Sequence, residues 1–194
     1  MSFSVGGLLL NESVEVARLH APSRPWDETL ALALSGGVTS LPKTASRRRT
    51  LREIGNRLSQ LSEEERSFLT GAADRREQAA LLWVASCRAY RFVREFAVEV
   101  LCDRHLSNRL DLPLEAFDHL LEAKGATDPR LAEISPSTLR KLRQVLFRMM
   151  REAGVLSATG QIQAADVSPR LVALLQRTAP ADLAVFPGCD LERV

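Results

Sequence analysis

Apolar residues recur at spacings of three and four along most of the chain, and helix start and stop signals fall between these runs. Asn11 opens a predicted short helix through His20. Pro25 heads a second, Trp26 to Ser35, which Gly36-Gly37 terminates. After a turn through Leu41-Pro42, Thr44–Leu61 carries Leu51, Ile54, Leu58 and Leu61 on one helical face. Ser62-Glu63-Glu64-Glu65 is a capping box opening a helix that Gly71 closes. Asp74-x-x-Glu77 repeats that logic at the head of the longest run, about Arg75 to Leu106. Its apolar positions, among them Leu81, Leu82, Val84, Phe92, Val93, Phe96 and Leu101, cover more than one stripe. This predicts a central helix buried on several sides, with Ala89-Tyr90 as its candidate break.

Past Asp111-Leu112-Pro113 the pattern resets. Pro113 to Lys124 reads as a helix stopped by Gly125, and Asp128-Pro129 opens a short one to about Ile134. Ser135-Pro136-Ser137 caps a long helix, Thr138 to Ala153, closed by Gly154. Val155-Leu156-Ser157, Ala158-Thr159-Gly160 and Gln161-Ile162-Gln163 then read as strand, turn, strand. Ser168-Pro169 caps a final helix to about Arg177, and the tail from Pro180 carries no clear pattern. The predicted fold is all-α with one short β-hairpin wing after the long helix. Residues 1–72 form an N-terminal helical region and 73–194 a second, with a winged helix-turn-helix-like unit at 113–163; the two are expected to pack as one globule.

Charge changes this picture by its position rather than its total. The chain has 194 residues, 45% hydrophobic and 26% charged, with a net charge of +2, so it is neither a disordered tail nor a polycation. All but three of the 26 basic residues are arginines. Lys43, Arg47, Arg48, Arg49, Arg52 and Arg57 stand against one acid, Glu53, for +5. From Ile134 to Arg151, Arg140, Lys141, Arg143, Arg148 and Arg151 meet no acid, again +5, so the remainder carries −8. Two basic helices on an acidic body are the electrostatic footprint of a phosphate-backbone binder.

On Thr138–Ala153, Leu139, Leu142, Leu146, Met149 and Ala153 form the stripe expected to be buried. Arg140, Lys141, Gln144, Arg148 and Arg151 share much of the opposite face. Arg and Gln suit bidentate contacts with base edges, and Lys and further Arg suit phosphates. Ser137 and Thr138 lie at the helix start, where free N–H groups favour a phosphate. Two helices before and a hairpin after give the order of a winged helix-turn-helix. Arg47, Arg48, Arg49 and Arg52 offer a second phosphate-contacting surface. A plain solvated helix fits either face as well, and a winged-helix layout also serves protein docking.

Catalytic and cofactor signatures are missing. No P-loop, GxGxxG after a strand, HExxH or nucleophile elbow occurs, and His20, His105 and His119 are scattered. Cys87, Cys102 and Cys189 form no CxxC pair and no zinc-ligand spacing, and the first two read as buried free thiols of a reducing cytoplasm. No signal peptide or run of about 20 apolar residues is present, so no membrane span is expected. The expectation is a non-enzyme without cofactor, metal or small-molecule substrate.

Gly6-Gly7-Leu8-Leu9-Leu10, "TASRRRTLREIGNRLSQL" from Thr44, "LLWVASCRAYRFVREFAVEVL" from Leu81 and above all "SPSTLRKLRQVLFRMMREAGVLS" from Ser135 resemble the BrxA family of bacteriophage-exclusion (BREX) defence systems. The resemblance spans about residues 5 to 160 and is weakest after Gln163. It implies a small all-helical protein of NusB-like character with helix-turn-helix elements. It further implies a phage-defence role beside a methyltransferase, an ATPase and a phosphatase-like partner, with no catalysis of its own. Joined to the basic helices, it predicts an accessory protein that binds double-stranded DNA and other BREX proteins. The alternatives are an adaptor that docks acidic partner surfaces and, from the NusB-like analogy alone, an RNA binder. With 7 Phe, 2 Trp and 1 Tyr, mostly in core patterns, the chain has little to stack on single-stranded bases.

Overall fold

The computed structural model describes residues 3, 6–38, 46–126, 128, 131 and 133–189. Among the described residues ten α-helices follow in order: α1 (Leu10–Leu19), α2 (Trp26–Leu32), α3 (Arg47–Leu58), α4 (Glu63–Thr70), α5 (Arg75–Ala89), α6 (Arg91–Glu95), α7 (Asp103–Leu106), α8 (Glu115–Gly125), α9 (Pro136–Glu152) and α10 (Pro169–Thr178). A π-helical turn, Phe96–Cys102, joins α6 to α7, another, Ala33–Gly37, ends α2, and a 3₁₀ turn, Pro180–Val185, follows α10. Both capping boxes form as the sequence dictates: Ser62 with Glu65, and Asp74 with Glu77. Ser135 and Ser168 cap α9 and α10, each with Pro at the first helical position.

The predicted central helix is two. It breaks at Tyr90, whose extended backbone (φ −131°, ψ 103°) ends α5 and starts α6. Every residue from Ala79 to Cys87 is buried, as a helix without a single apolar stripe requires. Helices α1, α3, α4 and α9 and the 3₁₀ turn all pack against α5. Phe92, Phe96, Phe117 and Phe147 meet with ring centroids 5.2–6.5 Å apart, which seats α8 and α9 against α6 and the π-helical turn.

Several expectations need correction. Asn11 lies inside α1 rather than capping it; the cap position is Leu9, in left-handed conformation (φ 55°, ψ 48°), and the Asn11 carbonyl accepts from Arg75 instead. The expected β-hairpin wing is absent as a sheet element. Ser157 N–H donates to Gln161 O and Gln163 N–H to Val155 O, but only isolated bridges form, Leu156 with Ile162 and Asp111 with Gln161. Thr44 and Ala45, the turn at Leu41-Pro42, Lys43 and much of the predicted helix from Asp128-Pro129 fall outside the described residues. Cys102 is only partly buried, while Cys87 is buried as expected.

The tail supplies core that no periodicity announced. Leu183, Val185 and Phe186 are buried, Val185 O accepts from Trp83 Nε1 at 3.1 Å, and Asp182 pairs with Arg88 and Arg94. Glu77 does double duty at the other end of α5, closing its capping box and pairing with Arg170 of α10, with Ser168 Oγ as a further donor. Arg170, against the opposing effect of burial, and the Ser168 and Asp74 donors hold the Glu77 carboxyl at about 2, below the ordinary 4.5. A depressed carboxyl contributes stability that is complete above the unfolded pKa and is lost as pH falls through the folded one. The urea midpoint should therefore fall between about pH 4.5 and 2, and Arg170→Ala should flatten that part of the profile. A variant profile parallel to the wild type over this window would show that Arg170 does not set it.

Candidate nucleic-acid interface

Helix α9 is the longest in the described chain, 17 residues, and its burial is sharply one-sided. Leu142, Val145, Leu146, Phe147, Met149 and Met150 are buried, a broader band than the predicted stripe, of whose members Leu139 and Ala153 are only half-buried. Ser137, Thr138, Arg140, Lys141, Gln144, Arg148 and Arg151 are exposed, and Glu152 is the first acid to follow. Spacings of four, four and three from Arg140 through Gln144 and Arg148 to Arg151 put these side chains on one face.

The charges on this helix are not equally available. Arg140, Lys141 and Arg151 have no ion-pair or hydrogen-bond partner among the described residues. Arg143, by contrast, turns toward α8 and pairs with Asp118, fixing the two helices against each other. Arg148 Nε donates to Glu152 at 2.7 Å. The helix start is less open to a phosphate than its sequence suggested. Ser135 Oγ accepts from Thr138 N–H at 3.4 Å and lies 3.2 and 3.0 Å from the Ser137 and Thr138 hydroxyls.

The first basic helix divides in the same way. Arg48 and Arg52 are exposed, without a partner among the described residues, and Arg49 is exposed. Arg47 is half-buried and donates to the backbone carbonyls of Ala33 (3.1 Å) and Val38 (3.3 Å), so its guanidinium serves the end of the α2 segment. Arg57, counted in the same basic run, is fully buried against Glu53.

Sequence reading missed how the two helices are joined. Arg57 Nη1 donates to Gly7 O at 2.8 Å, and the next amide, Leu8 N–H, donates to Glu152, the partner of Arg148. A Cβ at Gly7 would sit 2.0 Å from Glu152 Oε2, so a side chain there would push this carboxylate aside. The Gly-Gly pair was visible, but its partners lie 50 and 144 residues away and left no local signal.

No aromatic side chain is exposed among the described residues. Trp26, half-buried, is stacked by His20 at 3.9 Å. Burial, and then Arg66 and Arg24, hold that imidazole below its usual range. A platform for unpaired bases is therefore not on offer here, whereas an arginine-bearing helix face is.

The BrxA family model matches residues 1–179. The BREX protein BrxA of Escherichia coli O9:H4 (strain HS) is 28% identical over 183 residues, covering 92% of this chain and 84% of its own. Among solved structures, an uncharacterized protein from Magnetospirillum magneticum superposes with a TM-score of 0.73 at 20% identity, over 96% of this chain and 95% of its own, and shares the fold. No described helix is long and apolar enough to cross a membrane.

Proposed function

The chain belongs to the BrxA family, and from that premise we propose that it is a non-catalytic, cytoplasmic accessory protein of a BREX phage-defence system that binds duplex DNA through α9. The observation that carries this reading is the exposed face of Arg140, Lys141, Gln144 and Arg151, three cations without a partner among the described residues and an amide, on a helix whose other side is core. The unit 113–163 is in this reading a helix-turn-helix-like reader, within which Arg143 of α9 pairs with Asp118 of α8. In this reading Arg48 and Arg52 hold further phosphates, and other BREX proteins are partners.

Affinity for duplex DNA should then fall linearly on a log–log plot against salt, with a slope of about −0.9 per phosphate neutralised. Arg140→Glu/Lys141→Glu/Arg151→Glu should weaken binding at least about tenfold at 0.1 M salt and remove roughly three contacts from the slope. Its helical circular dichroism should be unchanged, because none of the three side chains has a partner to lose among the described residues. Full binding by that folded variant excludes α9 as the contact surface.

The adaptor reading has an observation of its own. Val98, Leu106, Leu110 and Leu114 are exposed, Leu106 at 68%, around α7 and the start of α8. Capture of BREX partners that survives nuclease treatment but is lost with Leu106→Asp/Leu114→Asp assigns docking to this patch.

A further inference from the structure

Beside the second basic helix stand two further arginines that no charge run in the sequence announced. Arg75 and Arg76, in the first turn of α5, line a cleft of about 450 Å³ together with Arg148 of α9 and the first turn of α1. Among the described residues each guanidinium has one hydrogen bond: Arg75 to Asn11, Arg76 to Asp166 and Arg148 to Glu152. A guanidinium carries five donors, so most of the donor capacity of the three remains unspent.

The acids at the cleft do not close it. Glu152 is held by Leu8 N–H as well as Arg148, and Glu12 has no cationic partner among the described residues. The Arg76–Asp166 pair is 82% and 79% exposed, so water already screens it and a phosphate competes on favourable terms. Arg148 belongs both to the cleft and to the exposed face of α9, so the two are continuous.

We infer that this cleft is a backbone-phosphate subsite of the DNA interface, in which Arg75, Arg76 and Arg148 clamp a phosphate of the duplex whose groove α9 enters. The inference rests on the duplex-binding reading above and extends it to residues on a different helix. Arginine is the residue such a subsite needs, because its planar fork meets two phosphate oxygens at once.

The test uses the full chain, a mixed-sequence duplex of about 25 base pairs and a salt titration, with the α9 triple variant in parallel. Arg75→Ala/Arg76→Ala should weaken binding about tenfold at 0.1 M salt and reduce the salt slope by about 0.9, one phosphate contact's worth. Arg75→Lys/Arg76→Lys should keep the slope while losing part of the affinity. Asp166→Asn, which frees Arg76 and disturbs only an exposed pair, should tighten binding about two- to fivefold; structural damage does not produce a gain of that kind. Wild-type affinity and slope in the alanine pair, alongside lost binding in the α9 variant, would overturn the cleft and leave the α9 reading standing. So would an Asp166→Asn variant indistinguishable from wild type, even if the alanine pair failed to fold. Wild-type binding by both sets of variants would remove the duplex reading and the cleft together.

Discussion

Replacing Arg88 with Met is expected to destabilise the fold by about 3–5 kcal/mol, the usual cost of leaving a buried charge without its partner. Arg88 Nη1 and Nη2 each lie 2.7 Å from a different oxygen of Glu65, which is fully buried, and Arg88 Nε donates to Asp182, also at 2.7 Å. Glu65 meanwhile closes the α4 capping box at Ser62 N–H and accepts from Thr178 at the end of α10. One guanidinium thus ties α4, α5, α10 and the tail. Burial alone would raise the Glu65 pKa; Arg88, Thr178 and Ser62 together bring it below the ordinary value. Removing Arg88 leaves burial dominant, so the carboxyl should then prefer its proton. The sign of the pH dependence follows. In the wild type this carboxylate stabilises above the unfolded pKa and ceases to as pH falls; in Arg88→Met it destabilises at neutral pH and is relieved by protonation. The difference between the two proteins in guanidinium unfolding should therefore shrink as pH drops from 7 toward 4. An equal deficit at both ends would mean that lost packing, not the charge, is responsible.

What the sequence made legible was the chemistry that acts within one or two turns. Ser62, Asp74, Ser135 and Ser168 are caps because a short side chain reaches an N–H three residues on, and all four form. The α9 face was readable for a related reason, since helical spacing alone sorts Arg140 and Gln144 from Leu142 and Leu146. Contacts between distant segments were not readable. The net charge of +5 on the α9 segment holds, but one of its five cations, Arg143, is held by Asp118 of α8, 25 residues away. Arg47 and Arg57 show the same for α3. Arg75 and Arg76 were overlooked for the opposite reason: they read as the ordinary first turn of a capped helix, and only the fold brings Arg148 beside them. The tail had no period because a 3₁₀ turn follows neither rule, and its buried residues answer to Trp83 and Arg88, about a hundred residues earlier. At 155–163 the apolar residues Val155, Leu156 and Ile162 are buried, but the pairing of the two short segments stops at isolated bridges.

Arg57→Met should be comparably severe, and the chain offers an internal probe of the reason. Arg57 is 1% and Glu53 7% exposed; Arg57 Nε and Nη2 reach the same Glu53 oxygen at 3.0 and 2.8 Å, and Nη1 holds Gly7 O. The hydroxyl of Tyr90 donates to that Glu53 oxygen and accepts from Asn56 at 3.0 Å. Removing Arg57 leaves Glu53 buried with only neutral donors, at a cost of about 3–5 kcal/mol. The pair Glu53→Gln/Arg57→Met removes the stranded charge, so the double variant should be more stable than the sum of the single losses implies, by about 1–3 kcal/mol. Strict additivity would show that the two side chains act separately. Tyr90 is the sole tyrosine of the chain, so absorbance of the phenolate reports on this cluster alone. Burial first, and then the hydrogen bond and charge of Glu53, push its pKa up to about 12. Native wild-type protein should therefore keep its phenol protonated at pH 11, where an ordinary tyrosine has largely ionised. Glu53→Gln should titrate at lower pH, because both the charge and the carboxylate acceptor are gone while burial remains. Since Gly7 O is released when Arg57 is lost, the Leu8–Glu152 contact beside Arg148 should also loosen. Faster hydrogen exchange at the Leu8 amide would report that coupling between α3 and α9 directly, and unchanged exchange there would show that the N-terminal segment is held by its buried side chains alone.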